Sequence, residues 1–399
     1  MPTAKQAAAA KNAAMAKFEE RFAKVFGEDS LVADEAEVPY KVISTGSIAL
    51  DYALGVGGYV LGRVTEVWGQ DDLGKSTLAM QGCREAQRAY PDRLVGWIDM
   101  ERKWDWAWAR THGMDTSKAR FRLYRPESAE DVADALKEMI RSGLFSMIVL
   151  DSIGAMIPEA EKEKDADEAV MMIQAKVITR MVKIAAVEAD KTETAVVLLN
   201  QVRADTSMSR RTTTTGGGFA LKHSSTHKIE LKRGGDTPLS IKVDGVNQQV
   251  GHQIACFIER NKVAPAKKTA FITLVTTATE KYGPVGIDKA DEAAVMGIKT
   301  GVIAQSGAYY TFVATGERVK TRDTVVAKLR EDPELVDAVR EGVLATLVDS
   351  IVIGQEAEID VEALEVEEDG ETVAMASKLE GTGVFRKGAD KIKEATTSG

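Results

Sequence analysis

Gly69-Gln70-Asp71-Asp72-Leu73-Gly74-Lys75-Ser76 is the stretch on which the fold turns. It fits G-x-x-x-x-G-K-[ST], the pattern of a loop that wraps phosphate oxygens in backbone N–H groups. The flanks are the ones such a loop needs. Arg63–Trp68 is an apolar run that reads as a buried strand, and Lys75–Ala89 reads as a helix. The helix N-terminus adds partial positive charge to the loop. Lys75 is expected to reach the β- and γ-phosphates, and the Ser76 hydroxyl to ligate Mg²⁺. Gly69, Gln70, Asp71, Asp72, Leu73, Gly74 and Thr77 complete the expected nucleotide loop. Asp71 and Asp72 are unusual there, because a carboxylate opposes an anion; both are expected to point outward. ATP and Mg²⁺ are therefore the ligands this stretch implies.

Outward from the loop, apolar runs alternate with helical stretches. Leu94–Asp99, Phe121–Tyr124, Met147–Asp151 and Ala195–Asn200 read as further buried strands, and Ala129–Ser142 as another helix. Alternation of this kind predicts an α/β fold with a mostly parallel central sheet covered on both faces. Thr226–Lys232, Gln253–Arg260 and Ala270–Thr276 follow without intervening helical periodicity, which predicts an antiparallel extension. Ligands of such sheets sit at the carboxyl ends of the strands. Three polar residues fall there. Asp151 ends one apolar strand and is placed to hold the Mg²⁺ shell. Glu101 follows another and is placed to activate a water. Gln201 ends a third and is placed to sense a γ-phosphate by hydrogen bonding.

The remainder of the 399 residues divides by character. Residues 1–42 hold an amphipathic helix over Ala7–Phe26 and a short strand near Lys41–Ser44; the helix stripe (Met15, Phe18, Phe22, Val25) suits either its own core or a neighbouring subunit. Residues 43–284 form the main domain, and 285–348 a small α+β domain with helices at Asp291–Ile298, Val325–Arg330 and Pro333–Thr346 and a strand pair near Ala308–Val313. Residues 349–399 are expected to be an acidic, disordered tail: Asp349–Glu371 carries ten acidic groups and no Lys or Arg, while the whole chain is −9. Bulk charge argues against a nucleic-acid partner only until this block is set aside, since residues 1–348 sum to about −1. A chain with no run of about 18 apolar residues is not expected to span a membrane. Two distant cysteines, Cys83 and Cys256, and no leader pattern predict a reducing, cytoplasmic location. His223 and His227 lack companions for a metal set and read as ordinary strand residues.

In combination, these residues resemble the RecA family of homologous-recombination ATPases of bacteria and phages. The likeness runs in order from Ile43-Ser44-Thr45-Gly46-Ser47 and Leu50–Gly58 through the phosphate loop, Ile98-Asp99-Met100-Glu101, Val149-Leu150-Asp151-Ser152, Asn200-Gln201-Val202-Arg203, Thr213–Gly218, Ala220-Leu221-Lys222 and Asn261–Pro265 to Gly307-Ala308-Tyr309-Tyr310, about 300 residues in all. It implies a RecA-like P-loop ATPase core that polymerises on single-stranded DNA as a helical filament and exchanges strands with homologous duplex. It further implies that Glu101 is the catalytic glutamate, that Gln201 links the γ-phosphate to a DNA-binding loop, and that Asp105 and Trp108 contact adenine. Arg260 and Lys262 would act on ATP held by the adjacent subunit; Arg260 stands where most relatives have lysine.

Two segments are expected to hold DNA. One is Pro158–Val170, which departs from the family by its charge. The other is Arg203–Gly218, with Arg203, Arg210, Arg211, Thr215, Gly216 and Gly217. Lys176, Arg180 and Lys183 lie at helical spacing between them. With no aromatic before Phe219, phosphate contacts should dominate. Two other readings use the same core: a hexameric ring motor of helicase type, and a non-hydrolysing recombinase paralogue acting as a scaffold.

Overall fold

In a computed structural model, residues 4–26, 40–159, 168–203, 214–215, 221, 223–235 and 238–356 are described. The chain forms two units, Met1–Tyr40 and Lys41–Gly399. The first contains α1 (Ala4–Phe26), in which the Phe18 and Phe22 rings lie 5.4 Å apart.

The second begins with β1 (Val42–Ile43), α2 (Ile48–Leu54) and β2 (Tyr59–Val60). Next come β3 (Val64–Gly69), α3 (Lys75–Ala89), β4 (Leu94–Asp99), α4 (Trp106–Thr111), β5 (Phe121–Tyr124), α5 (Ala129–Arg141), β6 (Phe145–Asp151), α6 (Glu168–Thr192) and β7 (Ala195–Arg203). Then follow β8 (Thr214–Thr215), β9 (His227–Arg233), β10 (Leu239–Val243), β11 (Val246–Asn261), β12 (Thr269–Val275) and β13 (Gly286–Ile287). The main sheet runs β13-β12-β11-β9-β3-β7-β6-β4-β5. Strand alternation sorts its side chains. Val197 and Leu199 of β7 pack with Leu78 and Ala79 of α3, while Val196 and Leu198 pack with the cluster of Leu136 and Ile140 from α5 and Ile178 and Val182 from α6. Both faces are thus covered, which is why these strands read as unbroken apolar runs.

The antiparallel extension begins one strand later than the sequence suggests. β9 lies parallel to β3, with Thr65 opposite His227 and Gly69 opposite Leu231. Along the main sheet, direction alternates from β11 through β12 and β13. β7 and β9 both run parallel to β3 on either side of it, so the chain must return to the same edge between them, and such a crossover needs length rather than helical periodicity. The β10–β11 hairpin turns on Asp244 (φ 51°) and Gly245 (φ 81°), the Asp-Gly pair that favours a tight primed turn.

The C-terminal part holds α7 (Lys289–Thr300), a three-stranded sheet of β14 (Ile303–Ser306), β15 (Tyr309–Phe312) and β16 (Arg318–Val319), then α8 (Arg322–Glu331) and α9 (Pro333–Glu356). Its Phe312, Val325, Val339 and Val343 join the same apolar cluster as Ile43 and Leu50 of the core. α9 runs on to Glu356, inside the segment expected to be a tail; residues 357–399 lie outside the described residues.

Two buried carboxylates tie these parts together. Asp51 accepts from Ser44 Oγ (2.5 Å) and Thr45 N (2.8 Å) and pairs with Arg340 of α9 at 3.0 Å. Glu292 of α7 accepts from Ser47 Oγ (2.5 Å) and Ile48 N (2.7 Å) at the start of α2. Burial pushes the Glu292 carboxyl up to about 8, against the pull of those two hydrogen bonds. The sign of the linkage follows: a carboxyl raised above its unfolded value favours the native state at low pH. That stability is lost as pH climbs from the unfolded value through about 8. Glu292→Gln should therefore flatten the pH dependence. Its urea midpoint should exceed that of the parent above pH 8 and lose the advantage near pH 5.

Candidate nucleotide site and nucleic-acid interface

The phosphate loop leaves β3 at Gly69 and enters α3 at Lys75. Gly74 has φ 89°, the left-handed region, and a Cβ there would lie 2.5 Å from Leu274 Cδ1. At Gly69 an added Cβ would come within 2.6 Å of the Leu231 carbonyl oxygen. Gly74 is therefore required by its conformation, and Gly69 by the backbone carbonyl that a Cβ would strike. Lys75 is buried, and its Nζ donates to Gly69 O (3.0 Å) and Gln70 O (2.7 Å). Burial holds the ammonium below its usual range, opposed by Asp71, Asp151 and Glu101.

The two loop aspartates do not behave alike. Asp72 is exposed in a left-handed turn (φ 59°). Asp71 is exposed but reaches back to within 3.7 Å of Lys75 Nζ, contrary to the outward orientation expected of both. The ammonium gathers the nearest oxygens of its own loop, and one turn of spacing brings that carboxylate into range.

Register brings the predicted strand-end groups together. Asp99 is opposite Asp151 across β4 and β6, and Gly69 is opposite Gln201 across β3 and β7. Ser76 Oγ donates to Asp151 Oδ2 at 2.8 Å. Burial raises the Asp151 carboxyl to about 6; the Ser76 hydrogen bond opposes this, and Glu101 and Asp99 add to it. A hydroxyl beside a carboxylate is a hard oxygen pair, suited to Mg²⁺ that takes its other ligands from water and phosphate. Among the described residues no cluster of three or more His, Cys, Asp or Glu offers an all-protein metal cage.

Glu101 sits directly across the cleft. Its Oε1 accepts from Ser152 Oγ (2.6 Å) and Gln201 Nε2 (2.6 Å), and its Oε2 pairs with Lys103 at 2.7 Å. Burial alone would raise this carboxyl, but the Lys103 and Ser152 hydrogen bonds and the Lys103 and Lys75 charges outweigh it, leaving it below the usual range. The Gln201 backbone is fixed in turn, because its N–H donates to Asn200 Oδ1 (3.0 Å) while Asn200 Nδ2 donates to buried Glu66 (2.9 Å). Ser152, Asn200, Glu66 and Lys103 were not singled out from sequence. A carboxylate inside the apolar run of β3 was the one available sign of this chain of contacts.

Asp71, Asp72, Gly74, Lys75, Ser76, Thr77, Glu101, Trp108, Asp151 and Gln201 line one cleft, which His252 and Leu274 help to close. Trp108 meets it from α4, its ring 4.6 Å from His112. Asp105 is outside the lining and serves as the N-cap of α4, accepting from Ala107 N (2.7 Å) and Trp108 N (3.0 Å). Arg260 and Lys262 are also outside it. Arg260 is level with Lys228 on β9, which faces Glu66 of β3. Lys262 N donates to Thr226 O, and Thr226 N to Val64 O, so Lys262 lies at the N-terminal end of β3. The phosphate loop leaves the other end. Burial lowers the Lys262 ammonium, and the Arg260 and Arg63 charges add to this.

Of the residues expected to meet DNA, Lys176, Arg180 and Lys183 line one exposed groove along α6. Arg203 ends β7, and its backbone pairs antiparallel with Thr214 while Val202 pairs with Thr215. The second loop thus has a hairpin stem two residues beyond Gln201. Arg210, Arg211, Gly216, Gly217 and residues 160–167 of the first segment lie outside the described residues. No described helix is long and apolar enough to cross a membrane.

A phosphate loop on the carboxyl edge of a parallel sheet, with an oxygen pair for Mg²⁺ and a glutamate facing it, defines a P-loop ATPase core. The family described as RecA N-terminal domain matches residues 10–279. Protein RecA of Thermotoga maritima is 33% identical over 341 residues, 84% of this chain and 90% of that protein. Protein RecA of Nocardioides sp. is 30% identical over 358 residues, 89% and 96% of the two chains. That of Kineococcus radiotolerans is 30% identical over 364 residues, 91% and 99%. The chain belongs to the RecA family.

Proposed function

We propose that this protein is a DNA-dependent ATPase that polymerises on single-stranded DNA, pairs it with homologous duplex and exchanges strands in the cytoplasm. The observation that carries the reading is the Glu101–Gln201 contact at 2.6 Å. It joins the proposed catalytic carboxylate to the strand that becomes the DNA loop stem within two residues. Lys75 and the loop N–H groups would hold the phosphates, and Ser76 and Asp151 would hold Mg²⁺. The ion supplies charge neutralisation on the phosphates when bound. Glu101 would take the proton of the attacking water, Gln201 would orient Glu101, and Trp108 would stack on adenine, carried by a helix that Asp105 caps. Arg260 and Lys262 would serve the next subunit's nucleotide, which explains their distance from their own cleft. A ring motor or a non-hydrolysing scaffold is less well supported: the family likeness continues beyond the ATPase core, and Glu101 is present. Images of the protein with ATP and single-stranded DNA test this directly, with helical filaments expected and closed rings counting against it.

The α6 groove gives a quantitative expectation. Each cation that neutralises a single-strand phosphate contributes about 0.7 to the slope of log affinity against log salt. Replacing Lys176, Arg180 and Lys183 together with alanine should lower that slope by roughly 2 and weaken binding evenly across sequences. An unchanged slope would remove these three from the interface.

A further inference from the structure

Lys103 is the second cation of the nucleotide cleft, and its backbone is held in place. Asp99 Oδ1 accepts from Lys103 N (3.1 Å), and Asp99 Oδ2 accepts from Trp104 N (3.2 Å) and Arg125 Nε (3.0 Å). Arg102, at φ 55°, makes the turn before it. From this anchored base the side chain folds over the cleft and places Nζ 2.7 Å from Glu101 Oε2. Since Oε1 is already engaged by Ser152 and Gln201, both oxygens of Glu101 carry a direct hydrogen bond. A carboxylate so occupied is poorly placed to accept a proton from water.

The contact is also easily broken. The Lys103 side chain is 76% exposed, and an ion pair with one partner in solvent is weak. Asp71 and Asp151 also act on this ammonium, so the charges that hold it most strongly are carboxylates. A polyphosphate entering the cleft brings several negative charges and outcompetes a single carboxylate for a long, flexible lysine.

We propose that Lys103 is a nucleotide-responsive cation, which holds Glu101 Oε2 until a triphosphate draws the ammonium onto its phosphates and frees Glu101 for water. This rests on reading the cleft as an ATP site. The exchange ties release of the base to the arrival of substrate and favours a triphosphate over a diphosphate by charge.

The test is calorimetric binding of ADP and of a non-hydrolysable imido analogue of ATP, each with Mg²⁺, to full-length protein. Lys103→Met should weaken the analogue about five- to ten-fold, since it removes a cation and leaves Glu101 facing the phosphates unpaired. ADP should change less than about two-fold, and Lys103→Arg should restore analogue affinity. Glu101→Gln, which releases Lys103, should bind the analogue more tightly than the parent. If the parent binds both nucleotides and Lys103→Met binds them equally well, the proposal is overturned while the site reading stands. If the parent binds neither, both fall.

Discussion

Replacing Glu101 with glutamine should leave a folded protein that binds ATP and no longer turns it over. The amide keeps the shape of the side chain and an oxygen for Ser152 Oγ, so the cleft wall stays intact. What is lost is the capacity to take a proton, a contribution of about 10²–10⁴-fold in general-base chemistry. Lys75→Ala should give a comparable loss by another route, because the buried ammonium that bridges Gly69 O and Gln70 O is the cation proposed to hold the phosphates. The measurement is ATP hydrolysis with and without single-stranded DNA, beside thermal melting. Melting should shift by only a few degrees for Glu101→Gln. Turnover near the parental rate in either variant would overturn the assignment of the site.

The second expectation concerns the cations that do not reach their own cleft. Lys262 is level with Val64, five residues before Gly69, a separation of roughly 17 Å along the strand. A variant with both Arg260 and Lys262 changed to alanine should therefore fail to hydrolyse ATP while keeping an intact phosphate loop. Lys75→Ala should fail while keeping intact cations. Mixed in equal amounts with DNA, the two should regain activity, because in a head-to-tail polymer about a quarter of the contacts pair an intact loop with intact cations. Two inactive proteins that stay inactive when mixed, although both bind DNA, would show that these residues do not act across a subunit boundary.

Much of this architecture was legible in sequence for an identifiable reason. β4 and α3 begin and end where periodicity places them, because a strand buried on both faces cannot hide its apolar run and the phosphate loop announces the helix that follows. That Lys75, Ser76, Asp151, Glu101 and Gln201 would line one cleft was readable because the carboxyl ends of parallel strands, and the loop that leaves one of them, must face one crevice. Other features depend on which groups meet, near in the chain or across it, and strand periodicity does not encode that. The direction of β9 is set by how its connection returns. Asp71 reaches back because the lysine four residues on, at the start of α3, attracts it. Asp105 is consumed as a helix cap, a role its position before Trp106 would have suited. Glu66 and Asn200 meet only because β3 and β7 are neighbours, 134 positions apart in the chain.

The register of β7 has a mechanical consequence. Its pairing with β6 ends at Leu198, and its pairing with β3 ends at Gln201, opposite Gly69. Beyond that point, among the described residues, only the short β8 pairs with it. The strand is therefore a cantilever, clamped deep in the core and overhanging from the first residue of the phosphate loop. A load on the overhang bends the beam at its clamp, and a shift at the clamp swings the tip. Stiffness, rather than a relay of side chains, is what would carry force between the two ends. A break in that stiffness between Gln201 and Arg203 should leave nucleotide and DNA each bound but deaf to the other.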